Sequence, residues 1–216
     1  MENYNKIALD TPDLLAMLKQ RGLQVPNEQE ALQTLSSVSY FRIACYFRPM
    51  EINKQTHEFR EGATLTQVLE LYKFDTDLRD MVFGATKLYQ NFYDKANKKA
   101  VAEDFGLPQH EFLNSGMESL TSLRNFCAHH SRIWNRRYAV KPQMPRTLAG
   151  HKWLTIFSFP PDKIYPQLCC IAYLLNAIDS QNTFSNDLKR LLKKYPSIDV
   201  AAMGFPKGWK KEPLWK

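Results

Sequence analysis

Residues 123–137 read Leu123-Arg124-Asn125-Phe126-Cys127-Ala128-His129-His130-Ser131-Arg132-Ile133-Trp134-Asn135-Arg136-Arg137. Plotted on a helix, Asn125, His129, Arg132 and Arg136 fall at i, i+4, i+7 and i+11 and share one polar, basic stripe. Phe126, Cys127, Ile133 and Trp134 fall on the opposite side. The spacing predicts one long amphipathic helix over about Gln109 to Tyr138, and with it a mainly helical protein. Arg124 lies about 140° from His129 on an ideal helix, within reach of the stripe if its long side chain curls back.

The same stretch carries the chemistry. Arg124 and His129 are spaced Arg-x4-His, with Asn125 directly after the arginine. A ribose 2′-hydroxyl attacks its neighbouring phosphate once a base removes its proton and a cation offsets the growing charge. A histidine titrates near neutrality and serves as base or acid. An arginine fork holds phosphate oxygens. Asn125 is placed to fix the imidazole one turn away, and the need for a 2′-hydroxyl restricts such a site to RNA. The spacing alone is common, and a single helical histidine is most often structural. Tandem His129 and His130, and four arginines within fourteen residues (Arg124, Arg132, Arg136 and Arg137), are a stronger pattern. They equally describe a phosphate-binding face without catalysis.

Outward from the motif, the rest of the chain reads as helices. Thr11 is the expected N-cap of a helix with Pro12 at its first position, ending at Gly22. A second helix is expected from Asn27 to about Phe47, stopped by Pro49, with Tyr40, Phe41, Tyr46 and Phe47 on its core face. Residues 50–62 read as a loop or short extended stretch. Thr64 opens a helix through Leu78, and another covers about Thr86 to Glu103 before Gly106 and Pro108. Trp153 to Phe159 reads as a short helix or strand within a Pro-rich stretch. Helices are expected over Asp162–Ile178 and Phe184–Lys194, with a last turn over Ile198–Met203. The division expected is an N-terminal helical region, 1–80, and a second helical region, 81–216, bearing the motif and a basic tail.

The chain has 216 residues, with 29 Lys and Arg against 22 Asp and Glu, a net charge of +7. Residues 1–80 hold nine basic and twelve acidic side chains, whereas 81–216 hold twenty and ten, so the surplus belongs to the motif's side of the chain. A basic surplus of this kind suits a polyanion such as nucleic acid. On the last helix, Lys189, Arg190, Lys193 and Lys194 make a compact patch that reads either as RNA-backbone contact or as a solvated helix end favoured by the macrodipole. In the tail, Trp209 and Trp215 stand among lysines, as base-stacking platforms or as residues folded onto the core.

Several classes lose support. The longest apolar run, Leu168–Leu175, is eight residues, far short of the roughly 20 that span a bilayer. Met1–Asp10 shows no apolar signal core. The four cysteines form no C-x-x-C pair, Cys169 and Cys170 lie inside an apolar run as buried free thiols, and no zinc pattern appears. A cytoplasmic protein without cofactor or metal is expected. No P-loop, GxGxxG, HExxH or GxSxG is present.

Arg124 to Arg137, RNFCAHHSRIWNRR, resembles the signature of the Abi-like abortive-infection proteins of bacteria, the AbiD/AbiF type within the HEPN superfamily. Arg21-Gly22-Leu23, Val38-Ser39-Tyr40-Phe41-Arg42, the span from Phe59 through Phe74-Asp75 to Leu78-Arg79, and Met203-Gly204-Phe205-Pro206 with Trp209 are similar to other parts of the family. One departure stands out. The helical middle section of the family is missing, because Met81-Val82 run almost directly into Phe83-Gly84-Ala85-Thr86-Lys87-Leu88-Tyr89, which resembles its far end.

The resemblance implies an all-α HEPN-like bundle with an N-terminal helical subdomain. It implies a metal-independent endoribonuclease for antiphage defence, with Arg124, Asn125 and His129 catalytic. His130, Arg132, Arg136, Arg137, Lys189, Arg190, Lys193 and Lys194 would contact RNA. HEPN nucleases pair their motifs across a shared cleft, so one motif per chain implies a homodimer. A small structured RNA is the further partner implied, and a non-catalytic RNA-binding protein of the same fold is the competing reading.

Overall fold

The computed structural model describes residues 9–90, 98–148 and 152–216. The fold is all-α, with one two-stranded hairpin. The chain divides into two compact units, Met1–Lys73 and Phe74–Lys216.

In the first unit, α1 (Thr11–Gln20) is capped by Asp10, whose carboxylate accepts from Asp13 N at 2.9 Å, one residue before the expected cap at Thr11. Leu14, Leu15 and Leu18 are buried. Gly22 ends the helix region at φ +93°, a conformation open to glycine.

The single helix expected over 27–47 is two helices, α2 (Glu28–Ser37) and α3 (Tyr40–Phe47). Asn27 caps α2 through Glu30 N at 3.2 Å. The break has a local cause: Ser36 and Ser37 turn their hydroxyls back onto Gln33 O (2.8 Å) and Thr34 O (3.0 Å), and the β-branched Val38 follows in extended backbone. Of the expected core face of α3, Tyr46 and Phe47 are buried and Tyr40 half-buried, but Phe41 is 84% exposed. The break resets the helical phase, so the 3.6 period drawn across it misplaced Phe41. Strands β1 (Glu51–Asn53) and β2 (Glu58–Phe59) form an antiparallel hairpin, where a loop or extended stretch was expected. Phe59 meets Phe47 edge-on, with ring centroids 5.7 Å apart.

Thr64 starts α4 (Leu65–Gln90) with a reciprocal capping box. Gln67 N donates to Thr64 Oγ1 at 3.2 Å, and Thr64 N donates to Gln67 Oε1 at 3.1 Å. The helix expected to begin at Thr86 does not: Thr86 lies inside α4, its hydroxyl donating to Phe83 O at 3.0 Å. Its later part survives as α5 (Lys98–Asp104), and the stretch 91–97 of that expectation lies outside the described residues.

The second unit is organised around α7 (Ile164–Ile178). Its residues Ile164 to Cys169 and Ile171 to Leu175 are all buried, so it is apolar all round, as a central helix is. Among the described residues no helix is long and apolar enough to cross a membrane. The remaining helices are α6 (His110–Ala128) and α8 (Phe184–Lys194), the latter with the bounds read from sequence. Trp153–Phe159 is neither helix nor strand. Trp153 is buried and donates its indole N–H to Pro145 O at 2.7 Å. Cys169 is fully buried and free, while Cys170, expected to be buried beside it, is only partly so.

The tail corrects the base-stacking alternative. It forms 3-10 turns over Ala201–Met203, Trp209–Lys211 and Pro213–Trp215, and Trp209, Leu214 and Trp215 are all buried. The Trp215 indole N–H donates to the Tyr165 hydroxyl at 3.2 Å, and the Trp209 and Trp215 rings meet edge-on at 5.7 Å. The buried Glu212 carboxylate holds this tail, accepting from Thr155 Oγ1 at 2.7 Å, from Ile156 N at 3.0 Å and from Thr155 N. Burial raises the pKa of this carboxyl, but the hydrogen bonds from Thr155 and Ile156 outweigh it and hold the group below the usual carboxylate range.

Two outcomes follow. Trp215→Ala is expected to lower unfolding free energy by about 3–5 kcal/mol, measured by urea denaturation, because it removes a wholly buried aromatic. Since the pKa of Glu212 is lowered on folding, its stabilisation is present above the unfolded pKa of roughly 4.3 and lost as pH falls through the folded value. Acid unfolding curves of Glu212→Gln should therefore be flatter than wild type in that window.

Candidate nucleic-acid interface

Helix α6 buries Leu113, Gly116, Leu120, Leu123 and Cys127, a helical repeat that fixes its inward face. It does not continue to Tyr138. It ends at Ala128, and a Schellman motif closes it: His130 N donates to Cys127 O at 3.0 Å and Ser131 N to Phe126 O at 2.9 Å, with His130 left-handed at φ +52°. The stripe read across 125–136 is therefore not a helical stripe. Asn125 lies in the last turn of α6, His129 is its C-cap, and Arg132 and Arg136 stand on irregular chain beyond it.

What overrides the helical period is a buried carboxylate. Asp75, on α4, is 0% exposed and accepts from Ile133 N at 3.1 Å and from Trp134 N at 2.5 Å. Arg79, one turn later and also buried, pairs with the second oxygen through Nη1 and donates from Nη2 to Thr76 Oγ1 at 2.8 Å. Backbone N–H groups bonded to Asp75 cannot also donate to carbonyls four residues back, so the helix cannot run on. Ile133, Trp134 and Tyr138 are buried, and the Tyr138 hydroxyl donates to Ile133 O at 3.1 Å. Cys127, buried and in the field of Asp75, has its thiol pKa pushed up to about 12, burial being the larger cause.

The structure brings some of the sequence-selected residues together. Arg124 Nη1 donates to Asn125 Oδ1 at 2.9 Å, so the arginine turns to the neighbouring amide. Asn125, His129 and His130 are exposed. The Arg136 guanidinium lies 3.7 Å from the centre of the Phe126 ring and reaches Arg132 O at 3.4 Å, a cation–π contact that returns the irregular segment to α6. Arg137 is ion-paired with Asp162.

The α8 patch is engaged with its own surroundings: Lys189 donates to Trp215 O, Arg190 pairs with Asp187, and Lys194 reaches Asp77 at 2.8 Å, while Lys193 is exposed. Among the described residues no group of three or more His, Cys, Asp or Glu is arranged to hold a metal ion. Sequence reasoning missed Asp75, Arg79, Asp162 and Lys163. The available signal was an opposite-charge i,i+4 pair inside the apolar run of α4.

A family model described as Abi-like protein matches residues 33–87 and, separately, 81–135. The two matched stretches overlap at 81–87, and the second ends inside the motif segment. No curated protein and no solved structure matches the chain.

Asp75→Asn is expected to cost about 3–5 kcal/mol, because it leaves Arg79 buried without its counter-charge. Adding Arg79→Met should recover much of that loss, but it should leave the Ile133 and Trp134 amides exchanging faster than in wild type. Urea unfolding and hydrogen exchange read by mass spectrometry check the two parts.

Proposed function

Because the chain belongs to the Abi-like protein family, we propose that it serves abortive infection by acting on RNA, as a metal-independent endoribonuclease of the HEPN type. The observation that supports this most is the end of α6. Arg124, Asn125 and His129 lie within one and a half turns of each other, with Asn125 and His129 open to solvent, and the chain beyond them is rich in arginine.

In this reading His129 takes the proton of a ribose 2′-hydroxyl. The freed oxygen attacks the adjacent phosphorus, the 5′-oxygen leaves with a proton from a second acid, and the products carry a 2′,3′-cyclic phosphate and a 5′-hydroxyl. Arg124 stabilises the phosphorane charge, which requires it to swing from Asn125 to the phosphate oxygens. Asn125 serves as its resting partner and as a positioning group. His130, Arg132, Arg136 and Arg137 carry the flanking backbone. A cytoplasmic homodimer, in which a second copy supplies the second acid, completes the scheme as the resemblance implies.

A second reading is a non-catalytic RNA-binding protein of the same fold, holding a small structured RNA. The exposed Lys193 and the mostly exposed Arg190 and Lys194 on α8 favour it, since they add cations outside the catalytic motif.

Incubation of the full chain with labelled single-stranded RNA in EDTA separates the two. Cleavage is expected, with His129→Ala slowing it about 10²- to 10⁴-fold. Equal cleavage by His129→Ala would remove the catalytic assignment. Binding without cleavage by wild type would favour the second reading.

A further inference from the structure

The cations of the motif gather beyond the end of α6, around a lysine that neither motif nor charge run singles out. Lys163 immediately precedes α7, and its ammonium donates to Asn135 Oδ1. Asn135 sits at φ +49°, a left-handed conformation that asparagine tolerates better than most residues, and so turns its amide to the lysine. Next to it Arg137 pairs with Asp162, and Tyr138 N donates to Asp162 O at 2.8 Å, which ties 137–138 to 162–163 by backbone as well as side chain.

Burial first, then Arg137 and Arg132, hold the Lys163 ammonium below the ordinary lysine range, while Asp162 acts in the opposite sense. Lys163 thus stands in the field of two arginines, with Asp162 the carboxylate that opposes them. Lys141 also acts on Asp162, so that carboxylate is outnumbered.

The cluster is built by packing. Gly204, at φ +90°, lies so close to the lysine stem that a Cβ there would come within 2.6 Å of Lys163 Cβ. A glycine backbone therefore fixes where the stem runs, unlike a freely rotating surface lysine. The Arg137 side chain is 75% exposed, so its fork is open to a ligand despite Asp162.

Like charges held together cost folding free energy, and a polyanion that neutralises them restores it. We infer that Arg132, Arg137 and Lys163, with the Asn135 amide, form a second station for RNA backbone phosphate, separate from Arg124 and His129. Guanidinium forks and an ammonium suit phosphate oxygens and carry no base preference. The inference rests on the RNA reading above. It adds Lys163 and Asn135 to the arginine contacts of that surface.

The test uses the full chain carrying His129→Ala, so that binding is read without turnover, and a fluorescein-labelled single-stranded RNA, with anisotropy followed over a range of KCl. Lys163→Met keeps the stem and removes the charge. It is expected to weaken binding about five- to tenfold near 0.1 M salt and to flatten the slope of log Kd against log salt by about 0.7. Lys163→Arg should retain both, and Lys54→Met, an exposed lysine of the first unit, should change neither.

Thermal unfolding runs alongside. If Lys163→Met lowers Tm, Arg137→Gln is read in its place, with the same decrement expected. An unchanged slope in the variant read, with the parent still binding RNA, overturns the phosphate station and leaves the RNA reading standing. No binding by the parent at low salt overturns both.

Discussion

A single carboxylate with no solvent exposure decides the shape of the candidate site. Asp75 takes the backbone N–H groups of Ile133 and Trp134, and Arg79 neutralises it from one turn along α4. Stripping these N–H donors from a buried carboxylate costs about 1–3 kcal/mol each, more than the few tenths per residue that helix propensity gives to 129–137. A segment with a helical pattern is therefore not helical. The helix ends at Ala128, His130 turns left-handed, and Arg132 and Arg136, which a helix would have placed on one face with His129, are presented on irregular chain.

This arrangement changes the division of labour among the arginines. On a continuous helix Arg132 and Arg136 would extend the His129 stripe. Instead Arg136 covers Phe126 and closes the segment back onto α6, while Arg137 pairs with Asp162, next to Lys163. The proposed chemistry at Arg124 and His129 then sits on the rigid end of a helix, and the proposed backbone contacts sit on a loop pinned at Ile133, Trp134 and Tyr138. Catalytic and binding residues are commonly carried on loops held by a rigid scaffold, and here the scaffold is one ion pair and three buried side chains.

The tail is governed by a similar device. Its lysines and tryptophans look like an RNA-binding arm in composition, yet the buried carboxylate of Glu212, bonded to Thr155 and Ile156, draws Trp209 and Trp215 inward. In both places a buried acidic side chain, which sequence patterning treats as solvent-facing, determines where the basic and aromatic residues go.

Much of the helical class, the α8 bounds, the starts of helices near Asn27 and Thr64 and the family resemblance were legible from residue order, because periodicity, helix-start signals and motif spacing are local properties. The Arg124-Asn125-His129 grouping was legible for the same reason, since those residues are neighbours on one helix end. The break at Val38, the fusion of Thr86 into α4, the end of α6 and the cluster around Lys163 were not. The first two turn on small local energy differences between helix and coil. The others depend on partners 25 to 59 positions away in sequence, Asp75 with Trp134 and Asp162 with Arg137 among them, and one residue's pattern carries no trace of a distant carboxylate. Residue order alone carries the helical class, the Abi-like resemblance and the basic motif, whereas which cations stand together depends on the folded chain, because long-range hydrogen bonds to buried charge outweigh local propensity.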